Sequence, residues 1–232
     1  MIDELLPPAV SACEAFEDAS DPELFPEEER LVARAVRKRR QEFATVRMCA
    51  RRALAGIGVA PLPLLHGARG APVWPEAVVG SMTHCAGYRA AAVAWSRDVL
   101  TIGLDAEVNR PLPSRGVLET VTVAEERARL TSLAGRRPDV HWDRLVFSAK
   151  ESVYKAWFPL TGRWLGFDEA EIHIDPGTGT FTAALRVPGP VAGGSRLTGF
   201  TGGWLARDGL LVTAVTVSPP LPAASRRRRG GA

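Results

Sequence analysis

Val99-Leu100-Thr101-Ile102-Gly103-Leu104-Asp105-Ala106-Glu107 is an apolar run that ends abruptly in two carboxylates. A short, bounded apolar run of this kind reads as a buried strand, here over about 99–105. In an extended chain, positions i and i+2 share a face, so Asp105 and Glu107 point to one side. Paired carboxylate oxygens just past a buried strand suit a hard divalent cation such as Mg²⁺; a solvated strand end is the alternative reading. The order of elements around this stretch is helix, strands, helices, strands. That order predicts an α+β fold of two similar halves joined near residue 105, without any short-period repeat.

Upstream, residues 1–27 are acidic and contain proline, and read as a loose arm. From Glu28 to Leu54, Val32, Val36, Phe43, Val46, Ala50 and Leu54 recur at helical steps, and Gly56 and Gly58 stop the pattern. Arg40, Arg47 and Arg51 form a stripe beside that apolar face, either solvated or anion-binding. Arg39 falls inside the face, where an arginine is expected to hold a buried anion. Residues 61–77 are rich in Pro and Gly and read as loop. Strands are expected over about 78–83 and 90–95, with Gly87-Tyr88-Arg89 turning one into the other. Downstream, helices are expected over about 123–134 and 141–158, the second ending before Pro159. Strands follow over about 171–174, 180–187, 196–206 and 210–217. The expected division is an N-terminal half (1–100), a C-terminal half (101–218) and a disordered basic tail (219–232).

Composition bounds the classes. The chain has 232 residues, 46% apolar and 24% charged, with mean hydropathy −0.02. No apolar run approaches the roughly 20 residues of a membrane span. The start, MIDELLPPAV, lacks the basic region and apolar stretch of a signal peptide. A membrane protein, a small secreted scaffold and a disordered chain are excluded, and a cytoplasmic protein is expected. Four positive charges lie together at Arg226–Arg229, so the net charge of +3 becomes −1 without them. The basic balance therefore reports a tail, not a nucleic-acid-binding body. Cys13, Cys49 and Cys85 are widely spaced and read as ordinary thiols.

Arginine outnumbers lysine 26 to three, yet Lys150 and Lys155 lie five residues apart in Phe147-Ser148-Ala149-Lys150-Glu151-Ser152-Val153-Tyr154-Lys155-Ala156-Trp157. Glu151 and Lys155 are i, i+4 neighbours on a helix, so a plain ion pair is the bland reading. Against it, a compact ammonium fits a phosphate or leaving group where a guanidinium would not. A third cluster is Gly80-Ser81-Met82-Thr83-His84-Cys85-Ala86-Gly87-Tyr88-Arg89. Hydroxyl, imidazole and glycine at a strand-to-turn junction can bind phosphate; a structural hydrogen bond is the ordinary role of a lone histidine. A His84–Cys85 dyad is geometrically poor, because adjacent strand residues face opposite ways.

In order and spacing, GSMTHCAGYRAAAVA, IGLDAE and FSAKESVYKAW, with EFATVRMCARRAL and GARGAPVWP upstream, resemble the 4′-phosphopantetheinyl transferases of the surfactin/enterobactin type. The resemblance covers roughly residues 28–217. It implies a pseudo-dimer of two α+β halves with the active site in the cleft between them. It implies that Asp105, Glu107 and Glu151 bind Mg²⁺ (or Mn²⁺), and that Lys155 contacts the coenzyme A pyrophosphate, with Asp105 beside it. His84, with Thr83, is implied at the 3′-phosphate. Arg47 and the Gly70-Ala71-Pro72 loop are implied at the nucleotide, with Arg39 a further ligand. Many members carry a basic residue in that loop where Ala71 is neutral; Arg69 and His66 are the candidate substitutes.

The implied reaction is attack by a serine hydroxyl of an apo acyl or peptidyl carrier protein on the β-phosphate of coenzyme A. The phosphopantetheine arm is transferred and 3′,5′-ADP leaves, with Glu151 as base and Lys155 at the leaving group. The carriers implied are those of polyketide, nonribosomal peptide and fatty-acid synthases. A monomer is expected, with no nucleic-acid or membrane partner. Two rival readings are a non-catalytic coenzyme A or nucleotide-binding module and a nucleic-acid binder acting through Arg226–Arg229.

Overall fold

The computed structural model describes residues 1–20 and 22–220; Arg226–Arg229 and the rest of the expected basic tail from 221 onward lie outside them. The elements in chain order are a short 3-10 helix (Ile2–Leu5), β1 (Ser11–Ala15), α1 (Pro26–Leu31), α2 (Arg37–Gly56), β2 (Val78–Cys85), β3 (Tyr88–Trp95), β4 (Thr101–Val108), α3 (Arg115–Val121), α4 (Ala124–Arg136), α5 (Trp142–Thr161), β5 (Ala170–Asp175), β6 (Thr180–Leu185), β7 (Val191–Ala192), β8 (Ser195–Arg196), β9 (Gly199–Arg207) and β10 (Leu210–Val217). Strands β1-β3-β2 form one antiparallel sheet, and β4-β10-β9-β6-β5 form a second. Each sheet carries one 20-residue helix, α2 on the first and α5 on the second. The α+β class and the two-part plan stand as expected.

Strand β3 shows why the parts adhere. Its residues alternate between two cores. Ala91 and Val93 pack under α2 with Cys49, Ala50, Ala53 and Leu54. Tyr88, Ala90, Ala92 and Ala94 face Ile102, Leu104 and Ala106 of β4 and Val212 and Ala214 of β10. A third core lies between α5 and the five-stranded sheet, around Leu145, Val153, Trp157, Phe181 and Leu211. The free edge of β4 faces β2. Its Leu104 and Ala106 N–H groups donate to the Ser81 and Thr83 hydroxyls, each at 3.0 Å. Side chains thus satisfy an edge that backbone pairing leaves open.

Three expectations fail. The first 27 residues are not loose: Ile2 is fully buried in the central core, and β1 pairs with β3. Glu14 of β1 accepts from the Ile2 N–H at 3.2 Å and the Tyr88 hydroxyl at 2.6 Å. A single helical turn and a five-residue strand are too short to show a period. The helix expected over Glu28–Leu54 is two helices, because Val36 is extended (ψ 154°). Of the two early apolar positions only Val32 is buried; Val36 is 73% exposed and merely coincides with the helical spacing. Finally, α5 continues through Pro159 and stops at Gly162, whose positive φ of 64° closes the helix. Proline removes one donor only, which the last turn tolerates.

Candidate active site

Helix α5 lies directly on β4. A Cβ on Gly103 would sit 1.9 Å from the Ser152 carbonyl oxygen, so only glycine permits the approach. This contact decides what Lys155 does. Its ammonium donates to the Leu104 carbonyl and to Asp105 Oδ1, both at 2.8 Å. No Glu151–Lys155 ion pair forms among the described residues; the bland i, i+4 reading gives way to a bond between helix and strand. Lys150, about 140° around the helix, turns the other way. It pairs at 2.9 Å with fully buried Glu126 and donates to the Phe167 carbonyl.

Asp105 is 6% exposed, and its Oδ2 is buried without a hydrogen-bond partner among the described residues. A buried, unsatisfied carboxylate oxygen is costly and needs a ligand. Burial raises the proton affinity of Glu107 and Glu151, and the Asp105 charge adds to it in both. Hard oxygens that repel one another are what a divalent cation relieves, so Asp105, Glu107 and Glu151 fit Mg²⁺. Among the described residues, no three His, Cys, Asp or Glu side chains are already gathered around a point. Lys155 holds Asp105, and Arg144 holds Glu107 at 3.1 Å.

A cavity of about 650 Å³ opens beside Lys155, between the two halves. Its walls include Arg39, Arg47, His66, Arg69, Gly70, Ala71, Pro72, Thr83 and His84 from the first half, and Glu151 and Lys155 from the second. Phe43, Val46, Trp74, Met82, Tyr154 and Phe158 supply its apolar surface. Trp74 is fixed by an Nε1–H bond to the Gly80 carbonyl at 2.9 Å, against a glycine with no room for a Cβ. Arginines, histidines and Lys155 together with aromatic rings on one cavity wall suit an anionic ligand that carries a flat ring.

The individual roles differ from expectation. Arg39 is 48% exposed, not buried, and bonds the His84 ring across the cavity wall. Arg47 is buried: its Nε donates to the Leu64 carbonyl at 3.1 Å and its Nη2 meets His66 Nε2 at 2.8 Å. Its guanidinium lies 3.2 Å over the Phe43 ring, and burial pulls its pKa down to about 10. Arg47 therefore holds His66 in place and itself forms part of the cavity wall. Of the expected stripe, Arg51 binds buried Glu28 at 2.9 Å and Arg40 reaches the Val32 carbonyl. Arg40 and Arg51 thus fasten α1, while Arg47 forms part of the cavity wall. Loop 66–72 folds back through a Gly67 N–H bond to the Ala71 carbonyl at 2.7 Å and a His66–Pro72 bridge. There Arg69, at φ 54°, lies 5.5 Å from the Trp164 ring of the other half.

Thr83 and Ser81 use their hydroxyls to accept from β4, so they join the halves, and both line the cavity beside His84. Desolvation and the neighbouring Arg39 charge hold His84 below the usual histidine range, and desolvation and Arg47 do the same for His66. Cys85 is no nucleophile: burial, with Glu107 and Asp105, pushes its thiol up to about 12. All three cysteines are free. The neighbouring Cys49 thiol and Arg52 lower the proton affinity of Cys13. The sequence reading passed over Trp74 and Arg144. Arg144 lay within it as the residue two turns before Glu151, and hence on the same helix face.

Fold and site together define a two-part α+β protein whose cleft is lined by basic side chains of both halves, with carboxylates beside Lys155. Residues 27–94 match the 4′-phosphopantetheinyl transferase N-terminal domain, and residues 101–191 match the 4′-phosphopantetheinyl transferase superfamily. The 4′-phosphopantetheinyl transferase Svp of Streptomyces mobaraensis is 59% identical, over 99% of this chain and 94% of that protein. Npt of Nocardia iowensis is 48% identical over 93% of this chain and 99% of its own length. PptT of Mycobacterium tuberculosis is 45% identical over 87% of this chain and 93% of its own. The chain belongs to the 4′-phosphopantetheinyl transferase family, and is an enzyme of that class.

Proposed function

We propose that this enzyme moves the phosphopantetheine arm of coenzyme A to a serine of apo acyl or peptidyl carrier proteins, with Mg²⁺ (Mn²⁺ substituting) held by Asp105, Glu107 and Glu151. Residues 1–100 supply the coenzyme contacts and residues 101–218 the chemistry. The observation that carries this reading is the orphaned Asp105 Oδ2 beside Lys155, at the end of a cavity walled by both halves. His84 and Arg39 receive the 3′-phosphate, and the aromatic surface around Phe43 and Trp74 takes the base. His66 and Arg69 stand in for the basic residue that Ala71 lacks.

Glu151, whose proton affinity burial raises, takes the proton of the incoming serine. The serine oxygen bonds to the β-phosphorus while that phosphorus parts from its bridging oxygen, releasing 3′,5′-ADP. Lys155 meets the charge that grows on the departing phosphate. The metal, when bound, neutralises charge on the pyrophosphate oxygens. No helix among the described residues is long and apolar enough to cross a membrane. We place the reaction in the cytoplasm, by a monomer, since both walls of the cleft come from one chain. The test is intact-mass analysis of apo carrier proteins from polyketide, nonribosomal peptide and fatty-acid systems, incubated with coenzyme A and Mg²⁺. A gain of one phosphopantetheine arm on wild type, absent with Glu151→Gln, is expected; a gain undiminished by that change overturns the assignment.

A further inference from the structure

Glu107 is held differently from Asp105. Its Oε2 accepts from Arg144 Nη1 at 3.1 Å, while its Oε1 takes no hydrogen bond among the described residues. The same guanidinium donates from Nε to the Arg110 carbonyl at 3.3 Å and from Nη2 to the Pro111 carbonyl at 3.0 Å. One planar group thus grips the end of β4 and the chain that leaves it. Arg144 is 12% exposed and rises from α5 two turns before Glu151, on the same face. The next residues are fixed as well: the Leu112 N–H donates to Asp143 at 2.8 Å, and Asn109 bonds the Asp139 carbonyl and the His141 N–H.

We infer that Arg144 is a positioning residue for the metal: it ties up one Glu107 oxygen and sets the direction of the other. This rests on the reading of Glu107 as a metal-binding carboxylate. The inference gives a sign that charge alone does not. A cation beside a metal site repels the metal, so on Coulomb grounds its removal strengthens metal binding. A cation that orients a ligand weakens metal binding when lost, because the carboxylate must then be ordered by the metal itself. Lysine keeps the charge but cannot span three acceptors with a fixed fork.

The experiment is a Mn²⁺ titration of the full chain saturated with coenzyme A, without carrier protein, read by the electron paramagnetic resonance of free Mn²⁺. Melting temperatures are taken on the same preparations. Arg144→Lys and Arg144→Met are expected to raise the Mn²⁺ Kd about 10- to 100-fold. In turnover, the apparent KM for Mg²⁺ should rise by a similar factor, with kcat at saturating Mg²⁺ within a few-fold of wild type. Glu107→Gln should raise the Mn²⁺ Kd at least as much. If Arg144→Met binds Mn²⁺ as well as or better than wild type while Glu107→Gln does not, the positioning role is overturned and the metal reading survives. If Glu107→Gln itself binds Mn²⁺ normally, the metal reading falls and the inference with it. Should Arg144→Met fail to fold, Arg144→Lys decides: an unchanged Kd overturns the role.

Discussion

Helices α2 and α5 have the same length and the same task, covering one sheet each, yet they treat their charged residues differently. Arg47 and Arg51 of α2 bond within their own half, to Leu64, His66 and Glu28. Arg144 and Lys155 of α5 reach the far end of β4, where the carboxylates are. The first half therefore holds its helix arginines by internal contacts, with Arg47 and His66 set against the cavity. The second half pairs its cations with its carboxylates, Lys155 with Asp105 and Arg144 with Glu107. The division of labour proposed above gives coenzyme binding to the first half and the reaction to the second.

The largest expected effect tests the reacting half. Glu151→Gln and Lys155→Arg should each lower carrier-protein modification at least about 10²-fold, as loss of one positioned transition-state contact does. Their melting temperatures should stay near wild type. Folded variants with normal turnover would return α5 to the role of a plain covering helix, like α2. Next, His84→Ala in the binding half should weaken coenzyme A by about 10- to 100-fold, the size of a hydrogen bond to a charged group. The loss should be far smaller for 3′-dephospho-coenzyme A, with kcat little altered; calorimetric titration of both ligands checks this, and equal losses refute it.

A smaller effect probes the seam. Thr83→Val keeps the shape but leaves the Ala106 N–H without an acceptor, and should cost about 1–3 kcal/mol in urea unfolding. Discrimination between coenzyme A and its 3′-dephospho form should not change, whereas a phosphate-binding Thr83 would lose it. The smallest concerns pH. The lowered His84 value means that the unfolded chain takes up a proton before the folded one does. This contribution therefore lowers stability as pH falls from about 6.5 through the folded value, and vanishes above 6.5. The melting temperature of His84→Asn should fall less than that of wild type over pH 5 to 6.5; identical slopes contradict the assignment.

Much of this was legible residue by residue. The i, i+2 spacing of Asp105 and Glu107 on an apolar strand, and the periodicity of α5, needed no partner to be read. The N-terminal segment was illegible because its burial depends on a core built from β3, β4 and β10. The break at Val36 was hidden because an exposed valine can fall on a helical spacing by coincidence. Arg39 and Arg47 were exchanged in burial because a helical wheel ranks faces but does not know which face the loop at 62–66 will cover.

The sequence by itself determined the α+β class, the two-part plan and the family, since these rest on local periodicity and on motifs with fixed spacing. Only the tertiary structure decided that Lys155 serves Asp105 rather than Glu151, and that Lys150 turns inward to Glu126. It also decided that the Ser81 and Thr83 hydroxyls accept from β4 and so join the halves, and that Arg144 holds Glu107. Each of these is a contact between residues 23 to 50 positions apart. Local propensity is silent at that range; the choice among partners is made when α5 settles onto Gly103 and the edge of β4 meets β2, because only then do the competing donors and acceptors come within reach.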